Sequence, residues 1–212
     1  MKARIGIFLI LYMVFSTTHV LAEWPKKESD FTMLPPYCKA RILSGNKSPE
    51  YNRWLQRLGR DTFVHVHHYC AGLFTMGVAN RDYEKRGYLL NRALGEFAYM
   101  EQHAPKQSQL MPEIFMKKGK VMLLLGRDPE ALSAFNTSLL LNKRYSPSYM
   151  AIADYYIQRE QYAEAMDITK KGLIAVPKSK GLKRRQDKIS SKIKAQGGVV
   201  NSEPADQVQE EK

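Results

Sequence analysis

The chain is short of cysteine, of acids near its bases and of long apolar runs, and each shortage excludes something. Among 212 residues there are two cysteines, Cys38 and Cys70, and neither has a second cysteine close to it in sequence. Paired-cysteine redox motifs and haem attachment motifs are thereby excluded. Acidic side chains number 21 against 33 lysines and arginines, for a net charge of +12. The excess is concentrated: Lys178, Lys180, Lys183, Arg184, Arg185, Lys188, Lys192 and Lys194 face only Asp187 in their segment. No aromatic residue interrupts that run to stack on bases, so nucleic acid is not an expected partner. The one long apolar run, 5–15, falls short of the roughly 20 residues of a bilayer span, and no cysteine follows it to carry a lipoprotein anchor. No set of residues identifies a reaction. An enzyme is not the expectation, and no cofactor is implied.

What is present begins with the ends of the chain. Lys2 and Arg4, the apolar run, and a polar stretch closing on Val20, Leu21 and Ala22 have the layout of a secretory signal peptide over 1–22. The expectation is export, to a periplasm or outside the cell, with a mature chain starting near Glu23. Residues 180–196 place Leu182, Ile189 and Ile193 on one narrow helical stripe within the basic run. Two readings stay open for it. One is a helix that caps the last repeat, and the other is a patch of Lys183, Arg184, Arg185 and Lys188 for a membrane or another anionic polymer. Residues 197–212 are small or polar, with Glu203, Asp206, Glu210 and Glu211 near the end, and are expected to be disordered.

An exported chain with an even cysteine count favours a Cys38–Cys70 disulfide. Its task is to staple 23–47, an irregular segment carrying Trp24, Pro25, Pro35, Pro36 and Tyr37, onto the helices. Cys70 also ends the sequence His65, Val66, His67, His68, Tyr69, Cys70. On a helix Phe63, Val66, His67, Cys70 and Phe74 share one face while His65 and His68 point elsewhere, so the histidines supply metal ligands only in pairs. A redox or nucleophilic role for Cys70 needs a free thiolate, which a disulfide forbids. The staple and the metal or redox site are therefore alternatives, with His65, His67 and His68 the candidate ligands.

The helical region 48–111 opens with Ser48, Pro49 and Glu50, and Gly59 ends its first helix. Beyond it, 112–145 can be laid on 146–179 at a spacing of 34 residues. Phe115 matches Tyr149, Gly119 matches Ala153, Met122 matches Tyr156, Ala131 matches Ala165, and Ser138 matches Gly172. Asp128 with Pro129, and Ser146 with Pro147, read as helix starts. This period of two short helices resembles the tetratricopeptide repeat (TPR), in which each hairpin buries its apolar face only by stacking on a neighbour. Residues 48–111 resemble a degenerate first repeat, with Ala93 and Phe97 in place but Gly77 where a bulky aromatic is usual. Lys118, Lys143 and Thr169 also depart from the family pattern.

The resemblance implies an all-α stack of about seven helices, with the stapled segment at one end and the basic cap at the other. It also implies a concave groove, lined by first helices, that accepts a protein or peptide. Carried onto this chain, the groove residues are Met116, Lys120, Leu123 and Leu124 in one repeat and Met150, Asp154 and Ile157 in the next. The lysine and asparagine clamp with which some relatives hold a carboxy terminus is missing, since Met116 and Asp154 stand at two of its positions. The sequence thus reads as an exported, non-enzymatic scaffold for a cell-envelope complex.

Overall fold

The computed structural model describes residues 24–197, which are all-α. The expected leader over 1–22 and the tail beyond 197 lie outside the described residues. A 3-10 turn at Glu28–Phe31 leads into α1 (Pro36–Ile42), α2 (Pro49–Leu58), α3 (Arg60–Ala79) and α4 (Arg86–His103). Then come α5 (Met111–Leu124), α6 (Asp128–Leu141), α7 (Ser146–Gln158), α8 (Tyr162–Ala175) and α9 (Lys180–Ala195). The segment 23–47 is thus less irregular than its composition suggests. α1 is only seven residues long and starts on Pro36, too short to display an apolar period in the sequence.

Local chemistry sets most helix ends. Ser48 Oγ accepts the Tyr51 N–H at 3.1 Å, with Pro49 in the first turn. Gly59, at φ 78°, takes the left-handed backbone that lets α2 stop and α3 start with no linker. Asp128 and Ser146 do not cap their helices. They are the first helical residues, while the preceding Arg127 (φ −94°, ψ 62°) and Tyr145 (φ −82°, ψ 83°) turn the chain. Gln161 before α8 has nearly the same values, φ −82° and ψ 69°. Backbone close to an inverse γ-turn therefore starts all three helices, and no side-chain cap is needed. Freed from capping, the Asp128 carboxylate pairs with Arg159 at the far end of α7.

The helices α3 with α4, α5 with α6, and α7 with α8 pack as hairpins, and each hairpin stacks on the next, with α4 on α5, α6 on α7 and α8 on α9. One core cluster runs through the stack from Phe31 to Ile152, including Phe63, Tyr69, Phe97, Ile114 and Phe135. Glycines set how closely the two helices of a hairpin approach. A Cβ on Gly119 would fall 2.6 Å from Phe135 Cε1, and one on Gly72 would collide with the Phe97 ring in the same way. Gly72 is therefore the counterpart of Gly119. Counting back four residues within the helix places His68, not Gly77, where Phe115 and Tyr149 stand in the later repeats. The frame anchored on Ala93 and Phe97 misses this, because 25 residues separate Gly72 from Phe97 where 16 separate Gly119 from Phe135. The added residues lengthen the helices and the turn at 80–85 without disturbing the contact.

At the other end, α9 closes the stack. Its Leu182 and Ile189 are completely buried, and it packs on both α7 and α8. The apolar stripe of the basic run is thus spent on capping. No helix among the described residues is long and apolar enough to cross a membrane.

Candidate functional site

α3 and α5, the first helices of two successive hairpins, border an open cavity of about 650 Å³. α3 supplies the apolar floor through Leu73, Phe74 and Met76, and α5 contributes Glu113 and Lys117. The opposite wall is the segment running from Ser29 to Pro35. That wall is fixed by chemistry the sequence does reveal. Cys38, three residues after Pro35, is bonded to Cys70 of α3 with Cα atoms 5.5 Å apart, and both are fully buried. Arg41 adds hydrogen bonds from Nε to the Phe63 carbonyl and from its terminal nitrogen to that of Val64, at 3.2 and 3.0 Å. The Asp30 carboxylate accepts the backbone N–H groups of Lys26 and Lys27 at 2.8 and 2.9 Å, which holds it below the usual carboxylate range. In the core, burial first and the Glu113 carboxylate second raise the phenols of Tyr37, Tyr69 and Tyr145. The tyrosines stay neutral hydroxyls at any physiological pH.

The groove residues taken from the repeat pattern are distributed unevenly. Met116 is only 4% exposed, within the core cluster that also holds Ala151 and Ile152. Met150, Asp154 and Ile157 meet α9. A Cβ on Gly181 would run into Met150 Sδ, Asp154 accepts Arg185 Nε at 2.8 Å, and Ile157 shares a small apolar cluster with Ile189. Lys120 and Leu124 remain exposed and Leu123 is half-buried. The Lys120 ammonium is held below its ordinary value, first by desolvation and then by Lys117, with Asp154 acting the other way. Of the seven, Lys120, Leu123 and Leu124 reach the surface, whereas Met116 is in the core and Met150, Asp154 and Ile157 meet α9. The cavity residues of α3 and of the N-terminal segment escaped the repeat pattern. Their signal was the Gly72 and Phe97 pair, whose altered spacing hid the register.

The basic patch is also divided. Arg185 turns inward to Asp154, with its terminal nitrogen 2.5 Å from Oδ2. Lys183, Arg184 and Lys188 stay exposed, and none has an ion pair among the described residues.

The histidines gather with residues from α4. His68 donates Nδ1–H to Glu96 at 2.7 Å and stacks on Tyr99 at 3.6 Å; Tyr99 stacks on His103 at 3.9 Å. The Tyr99 hydroxyl lies 3.3 Å from His65 Nδ1, and His103 Nδ1 donates to the Tyr99 carbonyl. Burial, followed by His103 and His68, pushes the His65 imidazole down. His67 lies between His68 and Trp24, with ring centres 4.4 and 5.5 Å away, and burial, then Arg41 and His68, push it down to about 4. The partners missed in the sequence, Glu96, Tyr99 and His103, follow one another at spacings of three and four residues, on one face of α4. Among the described residues no group of three His, Cys, Asp or Glu side chains is placed to hold a metal. Cys70 is in the disulfide and offers no thiolate.

Three stacked hairpins closed by an amphipathic helix define a TPR-like fold. No family model and no curated protein matches the chain. Among solved structures it is similar to the first TPR of Spaghetti (RPAP3) bound to the HSP90 peptide SRMEEVD, at 19% identity and a TM-score of 0.42 over 58% of this chain and 95% of that one. It is similar also to the Sgt2 TPR domain from Aspergillus fumigatus, at 17% identity and a TM-score of 0.45 over 66% and 90%. The Arabidopsis OM64 TPR domain gives 15% identity and a TM-score of 0.40 over 58% and 98%.

Proposed function

We propose that the chain is an exported, non-enzymatic adaptor that takes a segment of another protein into the cavity between α3, α5 and the N-terminal wall, and so helps assemble or regulate a cell-envelope complex. The observation that carries this reading is the cavity itself, with its floor of Leu73, Phe74 and Met76 beneath the charged side chains of Glu113 and Lys117. A thioether and two branched or aromatic groups suit an irregular apolar segment, and the charges at the edge fix its orientation. Export is supported by the leader-like residues 1–22 and by the buried disulfide, which persists in an oxidising compartment. A photo-crosslinking residue at Met76 is expected to capture a defined partner in the envelope, one not captured from Leu140, which is 80% exposed on α6. Leu73→Asp is expected to abolish that capture and the affinity of the purified partner. Equal capture from both positions counts against the reading.

A second reading rests on Lys183, Arg184 and Lys188, which α9 presents to solvent beside the one acid Asp187. They suit an anionic lipid or polymer. Binding to anionic vesicles that falls steeply between low and moderate salt supports it, and binding that ignores salt removes it.

A further inference from the structure

Before the N-terminal wall of the groove, Trp24 seats on the histidines of α3, and a Glu28–Lys39 ion pair ties the turn that follows. The Trp24 ring lies 5.5 Å from the rings of both His67 and His68, which are 4.4 Å from each other. The wall at 29–35 follows within a few residues. His67 is the unusual member, since its Nδ1 is buried and has no hydrogen-bond partner among the described residues. His68 has an acid to receive its proton, because Glu96 lies against it and is approached on its other oxygen by Arg92 at 3.7 Å. His67 has none.

The groups that face His67 are a guanidinium and other imidazoles, whichever element they come from. Arg41 of α1 is held to the carbonyls of Phe63 and Val64 beside it. His65 and His68 flank it on α3, and α4 brings His103 against His65. Asp61 favours a charge only at His65, and Glu96 is already engaged by His68 and Arg92. Neither acid is therefore left to stabilise a charge on His67, and Arg41 opposes one. Only the Val64 carbonyl, which already accepts from Arg41, favours a proton on His67, so the imidazolium is drawn toward water.

We propose that the seat of Trp24 on His67 and His68 is an acid-labile latch: protonation of His67 expels Trp24 and loosens the N-terminal wall of the groove. Release lets the ring hydrate, so the released state binds the proton more tightly and gains population as pH falls. The consequence for ligand binding rests on the adaptor reading above, whereas the latch does not.

The test uses no ligand, so its failure and that of the adaptor reading are separable. In the full chain carrying W54F, Trp24 is the sole tryptophan. Its emission is expected to shift to the red with a one-proton dependence as pH falls through the histidine range, while far-UV circular dichroism stays constant. The shift is expected to vanish when H67Q is added. Hydrogen exchange over 24–35 in the unaltered chain, corrected for intrinsic rates, is expected to rise about tenfold for a one-unit fall in pH below the ordinary histidine value, and not in H67Q. Because exchange needs no tryptophan variant, a poorly folded W54F leaves the proposal testable. Emission and exchange that stay flat, or that change identically in H67Q, overturn it. So does a blue shift with slower exchange, the signature of a cation–π contact tightening on the imidazolium.

Discussion

At the scale of single residues, small side chains facing large ones set how the hairpins close. Gly119 faces Phe135, Gly72 faces Phe97, and by the same register Ala153 corresponds to Gly119 where Thr169 corresponds to Phe135. Where the ring is lost, a methyl is tolerated. Gly119→Ala is therefore expected to destabilise the fold by about 1–3 kcal/mol through overpacking, read from the midpoint of urea unfolding at constant slope. Thr169→Phe is expected to destabilise likewise and to be partly rescued by Ala153→Gly. The histidines give a second prediction. His67 sits at about 4 when folded against an ordinary 6.5, so the unfolded chain takes up this proton first as pH falls. Its contribution to stability is whole above pH 6.5, declines below it and is gone by about pH 4. With the ring half solvated, about 1–2 kcal/mol is involved. His67→Gln is expected to flatten the dependence of stability on pH in that window, as followed by thermal unfolding across a pH series.

At the scale of elements, α9 meets the stack through one face. Leu182 and Ile189 cap the stack, and Arg185 ties the helix to Asp154 of α7. The ion pair is partly exposed, at 25% and 43% for the two side chains. A double-mutant cycle on Arg185→Ala and Asp154→Ala is expected to give a coupling of about 0.5–1 kcal/mol that shrinks with added salt. The apolar contacts hold the helix in place in either variant, so helix content by circular dichroism should not change. Elements also show where sequence legibility ends. The period of 34 residues in 112–179 was readable because small and bulky side chains repeat at fixed distances along regular helices. The first hairpin was not, since the extra residues between Gly72 and Phe97 broke that count while leaving the packing intact. Asp128 read as a cap because its type and the following Pro129 fit one; the backbone of Arg127 made the turn without it.

At the scale of the whole molecule, the disulfide joins a helix outside the repeats to the first hairpin and thereby fixes a wall of the cavity. Cys38 and Cys70 are 32 residues apart, which on a chain-entropy basis corresponds to about 3–4 kcal/mol. Replacing both by alanine is expected to lower unfolding free energy by roughly that amount and to release 24–46 to proteolysis before the repeats are cut. Equal loss of protection along the chain would show that the staple supports the stack and not the wall. The amino-acid sequence by itself determined the two later hairpins, the pairing of its two cysteines and the apolar stripe of the last helix, because each depends on residue type at short range or on a count of two. Tertiary structure alone decided which half of the repeat face stays open, that Arg185 turns inward, and that Trp24, His67 and His68 meet. Those outcomes depend on which element packs beside which, and no spacing within one helix encodes the neighbour that will cover it.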